Sequence, residues 1–239
     1  MTNPTNNQVS LTDNIKRALK ANFIPGVFLQ VFALMIALSY FFWPASQSVF
    51  TFFADLKDTN GALYAIVSTA LFGGVIPFLY LYLNGKIAFS ASKQFLFYVF
   101  IWALLGWIVN EFYLFQSYLF GDGNDWLTII KKAAFDQFVF SAILTCPWLT
   151  LVYLWKDQRF SWARTRPLLG ELVKVQIPTT VLTNWLIWIP AVCLIYTMPP
   201  NLQIPLFNLV LCFFVLIFAI LQSEPEVATS TQKTKEIDK

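Results

Sequence analysis

Long apolar runs, separated by short charged or polar stretches, organise this chain. Six of them are long enough to cross a hydrocarbon core, which takes about 20 residues at a rise of about 1.5 Å each. They lie near Phe23–Trp43, Ala62–Leu83, Phe95–Phe115, Ala134–Trp155, Ile177–Thr197 and Leu202–Gln222. The pattern predicts an all-α integral membrane bundle of about six transmembrane helices, forming one domain over residues 23–222. Polar tails flank it at 1–22 and 223–239. Inside the first tail, "NIKRALKA" (Asn14–Ala21) predicts a short basic surface helix that feeds the first span. After that span, "SVFTFFADLKD" predicts an interfacial helix or an outward extension of span one. Gly73 and Gly74 read as a close-packing notch, and Pro77 as a kink in the second span. Pro147, Pro178, Pro190 and Pro205 are expected to break other spans in the same way.

Composition agrees with a membrane solvent. Hydrophobic residues make up 57% of the chain and charged residues 12%, against about 25% charged in soluble domains. Mean hydropathy is +0.61. The sequence contains no histidine, which removes imidazole metal sites, Ser-His-Asp triads and histidine proton relays together. Cys146, Cys193 and Cys212 all lie in apolar runs without a CxxC pair and read as small buried hydrophobes. These features predict no enzyme, no cofactor and no metal site. The modest net charge of +3, spread over loops and tails, gives nucleic acid no footing.

Loop charge sets the expected orientation. With six spans, thirteen lysines and arginines fall on the side of the two tails and three fall on the other side, namely Lys57, Lys131 and Lys132. The positive-inside rule then puts both termini in the cytoplasm or its equivalent.

Polar residues within the spans are the candidates for function, because an ionisable group in hydrocarbon is costly. In "KKAAFDQF", Lys132 and Asp136 are four apart and so share a helix face. They form either a boundary salt bridge or part of a pore mouth. Asn110 and Glu111 in the third span fall at a similar depth to Asp136 and Gln137, and the four are candidates for an acidic vestibule. Asn184 is expected to hydrogen-bond between helices. Trp185 and Trp188 are expected to pack on one face, and Tyr80 and Tyr82 to belong to an interfacial aromatic belt.

Four stretches together resemble the Mpv-seventeen and peroxisomal-membrane-protein-twenty-two family. "FGGVIPFLYLYL" is similar to the pattern GPxxHxWYxxL, with Pro77 at the proline, Tyr80 in place of the histidine and Tyr82 in place of the tryptophan. "KKAAFDQ" (Lys131–Gln137) matches KKxxxDQ without a gap. "PTTVLTNWLIWIP" is similar to the NWxxWP segment through Asn184, Trp185, Trp188 and Pro190, the proline standing one place late. Pro200 stands near the family's VP, and Asn208–Val210 near its closing helix. Val192 and Ile195 replace an expected glutamine and asparagine, the terminal WxxYLS is absent, and the stretch from Leu83 to Lys131 holds an added helix.

The resemblance implies a divergent member of a family of small membrane proteins associated with weakly selective pores. A channel-like protein passing small solutes or ions is the expected function. The alternative is a non-transporting structural or partner-binding membrane protein. The lipid bilayer is the expected partner, and a homo-oligomer is compatible with the sequence. The expected location is the cell membrane in a bacterium, or the mitochondrial inner or peroxisomal membrane in a eukaryote.

Overall fold

The computed structural model describes residues 11–221, with side chains through Leu216. Residues 1–10 of the expected N-terminal tail and the C-terminal tail at 223–239 lie outside that range. Six helical rods make up the described chain: α1 (Leu11–Phe42), α2 (Pro44–Leu83), α3 (Ala91–Phe120), α4 (Trp126–Asp157), α5 (Trp162–Tyr196) and α6 (Pro200–Leu221). The described residues contain no strand. The first five rods are long and apolar enough to cross a membrane, and α6 carries a shorter apolar stretch, Pro200–Leu216.

The distribution of side chains is that of a protein solvated by lipid. Large apolar groups such as Phe28, Met35, Phe42, Ile130 and Ile143 stand exposed, while Gln116, Gln137, Asn208 and Thr69 are buried. In water this arrangement would leave much apolar surface uncovered, whereas in hydrocarbon it places the polar groups where only protein can satisfy them.

Several boundaries differ from expectation. The basic segment Asn14–Ala21 is the first part of α1 rather than a separate surface helix. A continuous helix already satisfies those backbone groups, so nothing forces a break. The "SVFTFFADLKD" stretch belongs to α2, not to α1, because a short 3₁₀ turn at Pro44–Ser46 ends the first rod. Gly61, at φ +53° and ψ −126°, then breaks α2 one residue before the expected start of the second span. No side chain crowds that glycine, so its backbone conformation is what requires the residue type.

Three of the prolines share a local solution. Pro77, Pro147 and Pro178 each follow a π-helical stretch, at Ala70–Val75, Phe135–Thr145 and Leu172–Gln176 respectively. Proline has no N–H to donate and crowds the carbonyl four residues back. A wider turn before it relieves both problems. Pro190 and Pro205, by contrast, sit inside uninterrupted α-helices, as does Pro25. The expected breaks at Pro190 and Pro205 are therefore absent, and Pro190 is exposed on the outside of α5.

Close packing of α2 on α3 comes from glycines on both helices. A Cβ on Gly73 would stand 2.5 Å from the Trp102 ring, and one on Gly74 would stand 3.0 Å from the Tyr98 carbonyl. Gly106, on α3, is tighter still, with the Ala65 carbonyl at 2.4 Å. Across the same region, Asn208 of α6 donates to Ser68 Oγ (2.7 Å) and accepts from Thr69 Oγ1 (2.9 Å). Tyr82 lies outside these contacts, 54% exposed and stacked on Phe78, while Tyr80 is partly buried on the same short helix.

Candidate functional site: a buried polar cluster above an interior cavity

The π stretch of α4 supplies the centre of the site. Asp136, Gln137 and Ser141 all fall within Phe135–Thr145 and are all buried. The Asp136 carboxyl meets the Tyr196 hydroxyl of α5 at 2.6 Å and accepts from Gln137 Nε2 at 2.9 Å, with Ser141 Oγ farther off at 3.5 Å. The same Tyr196 hydroxyl lies 2.6 Å from Gln116 Oε1 of α3, whose Nε2 donates to the Lys132 carbonyl at 2.9 Å. Gln137 extends the cluster through its Oε1, which accepts from Asn184 Nδ2 at 3.0 Å. Its backbone carbonyl accepts from Trp185 Nε1 at 2.8 Å. Three helices are thus joined through side chains that hydrocarbon cannot solvate.

Lys132 does not pair with Asp136. Its ammonium lies 3.4 Å from Asp122 Oδ1 and 3.4 Å from Ser117 Oγ, and 6.0 Å from the centre of the Tyr196 ring. Side chains on a helix lean toward its N-terminus, which carries this lysine back to the α3–α4 turn. Asp136 lies one turn deeper, at the start of the π stretch, and reaches α5 instead. Asp136 is itself buried within the protein, 5% exposed.

The acidic vestibule is also absent. Asn110 is buried and donates to Glu111 Oε1 at 3.0 Å. Glu111 itself is exposed on α3, where Lys57 attracts it. Asp136 and Glu111 therefore face different surroundings. Trp185 does more than pack, since it holds the Gln137 carbonyl and meets Phe138 edge-on at 4.8 Å. Trp188 is buried against Phe207.

Beside the cluster, a partly open cavity of about 490 Å³ is lined by residues of α1, α3, α4, α5 and α6. Asp136, Gln137 and Asn184 line it together with Thr183, Thr180, Thr179 and Asn22, within walls that are mostly apolar. A second hollow of about 620 Å³ shares Leu149, Tyr153 and Thr180 with the first and includes Asp157 and Glu171. Among the described residues no group of histidine, cysteine, aspartate and glutamate is placed to hold a metal ion.

Gln116, Tyr196, Ser141 and Asn22 were not among the residues expected from sequence. A glutamine inside the apolar run of α3 was the available signal for Gln116. Tyr196, at the end of a span, reads as an interfacial aromatic until the fold brings it to Asp136.

Fold and site together define a multi-pass helical membrane protein with a polar cluster and a cavity inside its bundle. In comparisons with protein-family models, curated proteins and solved structures, nothing matches this chain.

Proposed function

We propose that this protein is a conduit for small solutes or ions, of the kind its resemblance to the Mpv-seventeen family implies. The observation that carries the reading is the cavity, whose lining includes Asn22, Thr179, Thr180, Thr183, Asn184, Gln137 and Asp136. A bundle that only packs has no need of polar groups facing an interior space, since buried polar groups stabilise little over apolar packing. In this reading the hydrogen-bonded cluster of Gln116, Tyr196, Asp136 and Gln137 closes the end of the cavity nearer the α3–α4 turn. The positive-inside rule argues for that end facing away from the cytoplasm.

Purified protein in a planar bilayer is the test. The reading expects discrete conductance steps that respond to substitutions at Asp136 and Asn184. A bilayer that stays silent at every protein density would hand the protein to the alternative, a non-transporting membrane protein that acts through packing or a partner.

A further inference from the structure

The cavity's chemistry names a ligand class, an inference that rests on the conduit reading. Among the described residues no lysine or arginine lines the cavity, and several of its polar groups are acceptors without a donor. Asn22, 5% exposed, donates its amide to the Ala18 carbonyl and leaves Oδ1 buried with no partner. Thr179 and Thr183 give their hydroxyl protons to the carbonyls of Val175 and Thr179, at 2.7 and 2.8 Å. Each then offers only lone pairs to a ligand. A donor-rich group fits such a lining. Trp102, Trp188 and Tyr153 add aromatic surface, which attracts cations in particular.

Asp136 is the only carboxyl among the described lining residues, and its hydrogen bonds can be counted. Tyr196 Oη lies 2.6 Å from Gln116 Oε1 and 2.6 Å from Asp136 Oδ2. Two oxygen–oxygen contacts this short need two protons, and a phenol has one. Gln116 cannot supply the second, because its Nε2 is used on the Lys132 carbonyl. Tyr113, whose ring centre is 5.4 Å from that of Tyr196, can donate to the Tyr196 oxygen but cannot fill the gap to Asp136. The second proton therefore belongs to the Asp136 carboxyl. The other titratable groups nearby are Cys193 on α5, and Lys132, which is held by Asp122 and Ser117.

We propose that the cavity binds a small primary ammonium cation in exchange for the proton on Asp136. The proton passes to bulk water, and the carboxylate left behind is the cation's counter-charge. One positive charge enters as one leaves, so the cavity's net charge is unchanged and no uncompensated ion is buried. The three N–H donors of the ammonium suit Asn22 Oδ1 and the threonine lone pairs. The adjoining hollow carries Glu171 beside Asp157. The nearby Lys156 is bound to Asp157 at 2.6 Å and lies over the Tyr98 and Tyr153 rings.

Isothermal titration of the full chain in detergent with n-butylammonium chloride tests this, with 1-butanol and butyrate as matched controls. Buffers of different ionisation enthalpy count the protons released. The expected result is saturable one-to-one binding of butylammonium alone, with about one proton released and affinity rising by up to about tenfold per pH unit. Asn22→Leu should weaken binding roughly tenfold by removing a charge-assisted hydrogen bond, and Asp136→Asn should abolish proton release. The proposal is overturned by the absence of saturable butylammonium binding, by equal binding of butanol, or by binding without proton release. Because titration in detergent needs no conduction, conductance without binding would sink this inference alone. Binding without conductance would sink the conduit reading and leave the site.

Discussion

The hydroxyl of Tyr196 stands 2.6 Å from both Asp136 Oδ2 and Gln116 Oε1, so one phenol ties α5 to α4 and α3. Removing it leaves two buried groups facing each other without their shared partner. Tyr196→Phe should cost about 1–3 kcal/mol, read as a lower midpoint of unfolding in detergent. Combined with Gln116→Leu, the loss should be less than the sum of the two single losses, because the variants break one network.

Asp136→Asn tests the protonation state of that network without the ligand. An asparagine amide can donate to Tyr196 while its oxygen accepts from Gln137, much as a protonated carboxyl does. Its stability at neutral pH should stay within about 1 kcal/mol of the parent. Infrared spectra of the parent should show a buried carboxylic-acid carbonyl band that this variant lacks. A parent without the band would place a carboxylate at Asp136.

Gly106→Ala should be destabilising. Its new Cβ would stand 2.4 Å from the Ala65 carbonyl, a backbone atom with little room to yield. Overpacking of this kind costs about 1–3 kcal/mol. Gly170→Ala is the control, since nothing lies within 4 Å of the added carbon, and its melting temperature should not fall.

Asp125 caps α4 by accepting from Thr128 Oγ1 at 2.7 Å and from the backbone N–H groups of Leu127 and Thr128. These bonds, the Thr128 hydroxyl first, hold its carboxyl below its usual range. A depressed carboxyl contributes stability above its unfolded value and loses it as pH falls through the folded one. Asp125→Ala should therefore melt below the parent at neutral pH, with the gap closing on acidification below the ordinary carboxylate range. A gap that persists at low pH would mean that the charge of the cap contributes nothing.

Single cysteines at Thr59 and Asp125, in a variant without Cys146, Cys193 and Cys212, should react with an impermeant reagent from outside intact cells. A cysteine at Ser161 should react only after permeabilisation. The asymmetry of basic residues motivates this, and outside labelling at Ser161 would reverse the orientation.

How much of this was legible depends on the distance over which each feature is decided. The helices were legible because lipid demands a continuous apolar run for each one. Asp136, Gln137 and Asn184 stood out as polar groups inside such runs, and the fold does bring them together. The Lys132–Asp136 pair was misread because its spacing counts as one face only in α register, and the register changes at Phe135. Tyr196 was invisible for another reason. Its partners lie 60 and 80 residues away along the chain, and only the packing of three helices makes them neighbours. Prolines marked where register is perturbed at Pro77, Pro147 and Pro178, but Pro190 and Pro205 carry the same residue type without the effect.

The wide turns before those three prolines give α2, α4 and α5 something a plain rod lacks. A π turn holds a residue more than an α turn of similar rise, so each is a place where chain length and helix phase are adjusted independently. Losing one residue between Phe135 and Thr145 would let α4 relax to ordinary winding while its C-terminal half kept its neighbours. The turn would still close with one residue fewer, so both halves would keep their phase and Asp136 would stay opposite Tyr196. The same single-codon deletion placed in the α-helical stretch Cys146–Asp157 would instead rotate one part of the rod by about 100°. The expected mark of a deletion in the π stretch that spares Asp136, Gln137 and Ser141 is a bundle that assembles with the cluster linking α3, α4 and α5 intact.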